Sequence, residues 1–315
     1  MNAKRTLEMH LGSRLTPINA EPLHQVQHYL KPRNGRTLMI KDILVSLRVG
    51  DGPDVAADYA VSAAAALDAH LTAVAVSYEI DVPPVYTEAF STDFLDTQRT
   101  ESRRQAGLAV ERFGEAARSM GLSGDVVSID GTPGGAAEQV GCIARLYDLT
   151  IVNQADPARM GAEEVIAEAV LFDSGRAVLL VPLSQQKPFS AKRIMVAWDG
   201  GRAAARAISE ARPLLAKADF VEAVVVETGK PKPKQLLGAD LARHLARHEK
   251  GVELRTLVPS HDEGIVDVLL KEIAARNIDL VVMGGYGHSR LREFVLGGVT
   301  RDMLERMTVP LLLAH

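Results

Sequence analysis

Aromatic residues and sulfur chemistry are scarce in this chain. Phe, Trp and Tyr make up 4% of its 315 residues, and it has one Trp and one Cys. A lone Cys142 excludes an internal disulfide and fits a reducing compartment. It falls in an amphipathic stretch, Ala136 to Leu146, where a buried small hydrophobe is expected. Few aromatics and many alanines imply helices packed closely on aliphatic strands. No apolar run approaches the roughly 18 residues that span a bilayer, so no membrane partner is expected. Charge of one sign is also lacking. A net charge of −4 gives no electrostatic footprint for nucleic acid or an anionic surface. Met1 to Arg36 has basic residues but not the apolar centre of a signal peptide, and cytoplasm is the expected compartment. No GxxxxGK[ST] run exists, which excludes a P-loop.

What is present is enough chain for two domains, with 47% hydrophobic residues, and an internal repeat. Asp42-Ile43-Leu44-Val45-Ser46-Leu47 matches Arg193-Ile194-Met195-Val196-Ala197-Trp198, 151 residues later. Each run precedes an alanine-rich helical pattern, Val55 to Ala69 or Ala203 to Ala216, and then a strand-like run, Leu71 to Ser77 or Phe220 to Glu227. Asp148-Leu149-Thr150-Ile151-Val152 matches Asp279-Leu280-Val281-Val282-Met283, now 131 residues apart. Val178 to Val181 matches Pro310 to Leu313. The shrinking offset assigns about 20 extra residues to the first copy, placed at Ile80 to Gln98 as a long loop or flap. Each copy reads β-α-β-loop-α-β-α-β-α-β. The fold class is therefore α/β: two tandem, doubly wound, five-stranded parallel sheets with right-handed crossovers. The expected divisions are an N-terminal extension at 1–38, a first domain at 39–187 and a second at 188–315, joined by the polar segment Ser184 to Ser190.

The richest motif follows Leu280 to Met283: Gly284-Gly285-Tyr286-Gly287-His288-Ser289-Arg290, then Leu291 to Leu296, then Gly297-Gly298-Val299-Thr300. A helical pattern, Val299 to Arg306, leaves it. Strand, glycine-rich loop and helix start form an arrangement whose backbone amides accept anions. The spacing Gly284, Gly287, Gly297 resembles the ATP-loop signature of the universal stress protein family, and the repeat extends the resemblance to a tandem bacterial member. In that pattern the last glycine precedes Ser or Thr, but here Gly298 takes the place, and Thr300 offers a hydroxyl in the first helical turn.

The resemblance implies a Rossmann-like fold that binds ATP, with magnesium entering only with the phosphates. It implies an adenine or ribose contact at Asp199 and a backbone adenine contact at Val225. For the phosphates it implies Gly284, Gly287, His288, Ser289, Arg290, Gly297, Gly298, Val299 and Thr300. The alternative for Asp199 is a helix cap, and Val225 reads equally as a plain strand residue. It further implies that the last strands pair the two copies as an intrachain pseudo-dimer, and it allows a homodimer. In the first copy Arg48 stands for Asp199, Asn153 for Gly284, Asp156 for Gly287, and Ile166 and Ala167 for Gly297 and Gly298. Those exchanges predict loss of nucleotide there.

Tyr286-Gly287-His288 holds one of the two histidines of a nucleotidyltransferase HxGH element, too little for that chemistry. Neither copy shows a nucleophile, base and acid together, and His244 and His248 read as solvated helix residues. The expected function is a nucleotide-responsive stress regulator or scaffold, with a slow ATPase or an empty structural member as rivals. Residues Met1 to Leu38, with Pro17, Pro22 and Pro32, are expected to be a poorly ordered arm. Deleting them should leave the melting temperature unchanged in a thermal scan, and a drop of several degrees would show a docked arm.

Overall fold

The computed structural model describes residues 39–50, 52–80, 91–156, 161–227, 238–247, 251–286 and 298–315. The expected arm, 1–38, lies outside them. Ten strands and eight helices follow in order among the described residues. The first half is β1 (Asp42–Ser46), α1 (Val55–Leu67), β2 (His70–Tyr78), α2 (Thr92–Ser119), β3 (Gly124–Gly131), α3 (Pro133–Ala144), β4 (Leu149–Asn153), α4 (Glu163–Asp173) and β5 (Val178–Val181). The second is β6 (Arg193–Ala197), α5 (Arg202–Leu215), β7 (Phe220–Val226), α6 (Gly238–Leu245), β8 (Val252–Leu257), α7 (Ile265–Arg276), β9 (Leu280–Gly284), α8 (Gly298–Arg306) and β10 (Leu311–Ala314).

The strands form one sheet in the order β3-β2-β1-β4-β5-β10-β9-β6-β7-β8. Pairing is parallel within each half, and the halves meet where β10 runs antiparallel to β5, with Leu312 opposite Leu179. The two five-stranded units expected from the repeat are thus halves of a ten-stranded sheet. Alternation along the strands sends Ile43 and Val45 to one face and Leu44 to the other. Helices α1, α2, α5 and α6 cover the first face, and α3, α4, α7 and α8 the second. Each face carries one apolar cluster that runs across the join: Leu179 and Leu312 share one, Leu180 and Leu313 the other.

The repeated aspartates have a structural role. Asp148 Oδ2 accepts from the backbone N–H of Lys41 and Asp42, at 2.8 and 3.1 Å. Asp279 Oδ2 does the same for Lys192 and Arg193, at 3.1 and 3.0 Å. One carboxylate thus satisfies two strand-starting donors and fixes the register of β1 on β4, and of β6 on β9. The linker is tied to both halves: Phe189 N–H donates to Ser62 Oγ, and Ser190 Oγ to Asp279.

Two expectations are corrected. Cys142 is exposed on α3, because Ala136, Ala137, Val140, Gly141 and Ala144 complete the inward stripe and leave position 142 outside it. The supposed loop at Ile80 to Gln98 turns helical at Thr92, where the Ser91 hydroxyl accepts from Phe94 N–H. Residues 81–90 lie outside the described residues.

The only tryptophan, Trp198, is buried in the second half, while Leu179 lies in the first. Leu179→Ala should cost about 2–5 kcal/mol and lower the urea midpoint read by Trp198 fluorescence. An unshifted tryptophan transition would mean that the halves unfold independently.

Candidate functional site

In an open parallel sheet, ligands settle where the strand order reverses, beyond the carboxyl ends of the strands. Each half has such a point, between β1 and β4 and between β6 and β9. The sequence has placed different residues at the two.

In the second half, Asp199 follows β6 and is exposed. Its Oδ1 accepts from Gly201 N–H at 2.7 Å, a turn that leads into α5. Gly284 ends β9, and a Cβ there would meet Ala203 of α5, with its carbonyl carbon at 2.7 Å. Glycine is needed because the first turn of α5 is packed against the strand end, a reason separate from any phosphate. Tyr286 then takes a left-handed turn, φ 55°, and its N–H donates to Thr300 Oγ1 at 3.4 Å. Thr300 is buried, so its hydroxyl ties the residues flanking the loop together inside the protein. Gly298 opens α8, with no atom of the described residues within 4 Å of a would-be Cβ, and Val299 beside it is half-buried. Gly287, His288, Ser289, Arg290 and Gly297 lie outside the described residues.

Strand register decides which main-chain groups of β7 face the crevice. Trp198 N–H donates to Val224 C=O, at 2.8 Å, while Val221 and Glu227 N–H donate to Gly251 and Leu257 on β8. Main-chain groups alternate sides along a strand, so Val225 directs its amide and carbonyl at β8. Val226 directs its pair to the β6 side, where β6 has already ended. The edge facing the crevice is therefore Val226's, and the Trp198–Val224, Val221–Gly251 and Glu227–Leu257 bonds agree on that parity.

In the first half the same crevice is filled by side chains. Arg48, the counterpart of Asp199, has a guanidinium 10% exposed, 3.2 Å from Asp156 Oδ2 and 3.8 Å from Glu163 Oε1. Glu163 occupies the first turn of α4, where the helix N-terminus favours an anion. Asn153, the counterpart of Gly284, accepts from Ala56 N–H at 2.9 Å and donates to Asp54 Oδ1 at 2.9 Å. Asp54 caps α1 and accepts from Arg48 N–H at 2.6 Å. Arg48, Asn153 and Asp156 were marked by the sequence as misfits, but Asp54 and Glu163 were not. Their part depends on contacts between residues more than 90 positions apart, such as Arg48 and Glu163.

Among the described residues no group of three His, Cys, Asp or Glu is placed to hold a metal ion. None of the described helices is long and apolar enough to cross a membrane.

Comparison with known proteins follows the same division. Residues 190–315 match the family model of the universal stress protein family. No curated protein matches the chain significantly. Among solved structures, a universal stress protein from Archaeoglobus fulgidus is similar with TM-score 0.62 and 16% identity, covering 87% of this chain and 97% of its own. A putative universal stress protein from Pseudomonas aeruginosa gives 0.51 and 15%, covering 87% and 92%. A second P. aeruginosa protein, described as functionally unknown, gives 0.54 and 13%, with the same 87% and 92% coverage. These likenesses carry the fold across both halves, and the match to the universal stress protein family model covers the second.

Proposed function

We propose that the protein binds one adenine nucleotide per chain, ATP, in the second half, and acts as a nucleotide-responsive stress regulator or scaffold. The observation that carries this reading is the contrast between the two crevices. One is closed by Arg48 with Asp156 and Glu163, while its counterpart offers a glycine-ended strand, a main-chain edge and a helix start. The described residues fit a nucleotide. Val226 presents an amide and a carbonyl suited to an adenine edge, and Asp199 keeps a carboxylate for ribose or base. Donors at the start of α8, with the loop 284–300, suit phosphates. Magnesium would come with those phosphates.

We further assign residues 39–187 to a degenerate universal stress protein domain and 188–315 to a competent one, paired as an intrachain pseudo-dimer. The antiparallel β5–β10 contact supports this, because it joins the same strand of each half.

Calorimetric titration with ATP should give one site per chain. Gly287→Asp sets a carboxylate beside the phosphates, and two unit charges about 4 Å apart repel by roughly 4 kcal/mol at an effective dielectric near 20. Affinity should fall by roughly two to three orders of magnitude. Gly298→Ser adds a hydroxyl where no described atom lies within 4 Å and should tighten binding by about tenfold or more, the scale of one hydrogen bond to a charged group. Two sites in the wild type, or unchanged affinity in Gly287→Asp, would overturn the assignment.

A further inference from the structure

Within its own half α8 is lightly held. Two of its nine residues, Thr300 and Met303, are buried, and its Arg306 pairs with Asp267 of α7 at a half-exposed contact. The first half meets it at both ends. At the last turn Gln154 Nε2 donates to the carbonyls of Leu304 and Glu305, at 2.7 and 3.2 Å. Those carbonyls are among the four that a helix end leaves without an intrahelical partner. Gln154 follows β4 directly and is itself held, its Oε1 accepting from Leu183 N–H at 3.1 Å.

At the first turn the contact passes through Tyr286. Its N–H donates to Thr300 Oγ1, and its ring packs on Phe172 of α4 with centroids 5.0 Å apart. Phe172 also meets the ring of His315 edge-on, and His315 Nδ1 lies 3.1 Å from the Gly285 carbonyl oxygen. Leu171 closes on Gly285, where a Cβ would stand 3.0 Å from its Cδ2. The two halves are unequal here. Gln154 follows Asn153 as Gly285 follows Gly284, so the two positions correspond. The first half reaches across with a side-chain amide, while the second has no side chain at that position and leaves room for Leu171.

We propose that the first half, its own crevice filled, positions the nucleotide site of the second. Gln154 and Phe172 are positioning residues: they fix the start of α8, whose free backbone N–H groups would hold the phosphates. This role depends on α8 binding the phosphates, as proposed. Apparent affinity scales with the fraction of molecules whose site is already arranged to bind. A contact that fixes the helix start therefore strengthens binding without touching the ligand. Two anchors, one at each end of the helix, oppose pivoting about either.

The test is calorimetric titration of the full chain with ATP, alongside amide exchange without nucleotide. Phe172→Ala should weaken ATP binding by up to about tenfold, the scale of one aromatic pair. Gln154→Ala should weaken it by up to about tenfold, the scale of one hydrogen bond, and the double variant by about tenfold or more. Phe172→Tyr, which keeps the ring, should bind as the wild type does. Phe172 is 46% exposed, so melting temperatures should stay near that of the wild type. The Tyr286 amide should exchange faster in the double variant, or in Phe172→Ala alone if the double variant does not fold, while the amides of β9 keep their rate. If the wild type binds ATP, unchanged affinity in the folded variants would overturn the proposal and leave the nucleotide reading intact. Weaker binding that tracks a lowered melting temperature, with Tyr286 exchange no more affected than β9, would mark a merely structural role and overturn it too. If the wild type binds no ATP, the nucleotide reading fails. Faster Tyr286 exchange would then still support the hold on α8, and unchanged exchange would overturn it.

Discussion

The hydrogen-bonded contact between β5 and β10 governs the rest of the molecule. Both strands are short and wholly apolar, and as open edges they would template association with other chains. Pairing them with each other removes both edges at once. It also makes each apolar cluster continuous between halves, so the helices of one half are buttressed by the sheet of the other. The contact brings α4 of the first half against the start of the second half's glycine-rich loop. There Phe172 packs on Tyr286 and His315, with ring centroids 5.0 Å apart in each case. Gln154 spans the same seam, donating to the carbonyls of Leu304 and Glu305 near the end of α8.

The two unlike crevices sit on one repeated frame. The shared parts, the aspartate clamps and the apolar strands, are the ones the backbone requires in both halves. The differing parts lie where a strand ends and a helix begins, and there the backbone accepts several solutions. Glycine at 284 allows α5 to pack against the strand end. Asn153 at the matching place instead bridges Ala56 and Asp54.

Much of this was legible in the sequence, because it rests on local signals. Short aliphatic runs, alanine-rich helical patterns and paired aspartates gave the strand list, the repeat and the joining strands. The rest depended on direction or distance. Cys142 was misread because a single residue's facing requires the helix phase, and Thr92–Gln98 because a charged, exposed helix start resembles a loop. Which of Val225 and Val226 turns its main-chain groups to the β6 side was not legible, since the parity of a strand's hydrogen bonds is set by its neighbour. The bond from Tyr286 N–H to the Thr300 hydroxyl follows only from how the loop's flanking residues meet.

Arg48 has a consequence for how such a molecule responds. A guanidinium tethered to the chain is present at a fixed, high effective concentration, so the carboxylates of Asp156 and Glu163 never wait for a diffusing partner. The first half's crevice is therefore occupied by its own side chains. With one nucleotide site per chain, as proposed, the response to ligand would follow a simple hyperbola. Sigmoidal behaviour would have to arise between molecules.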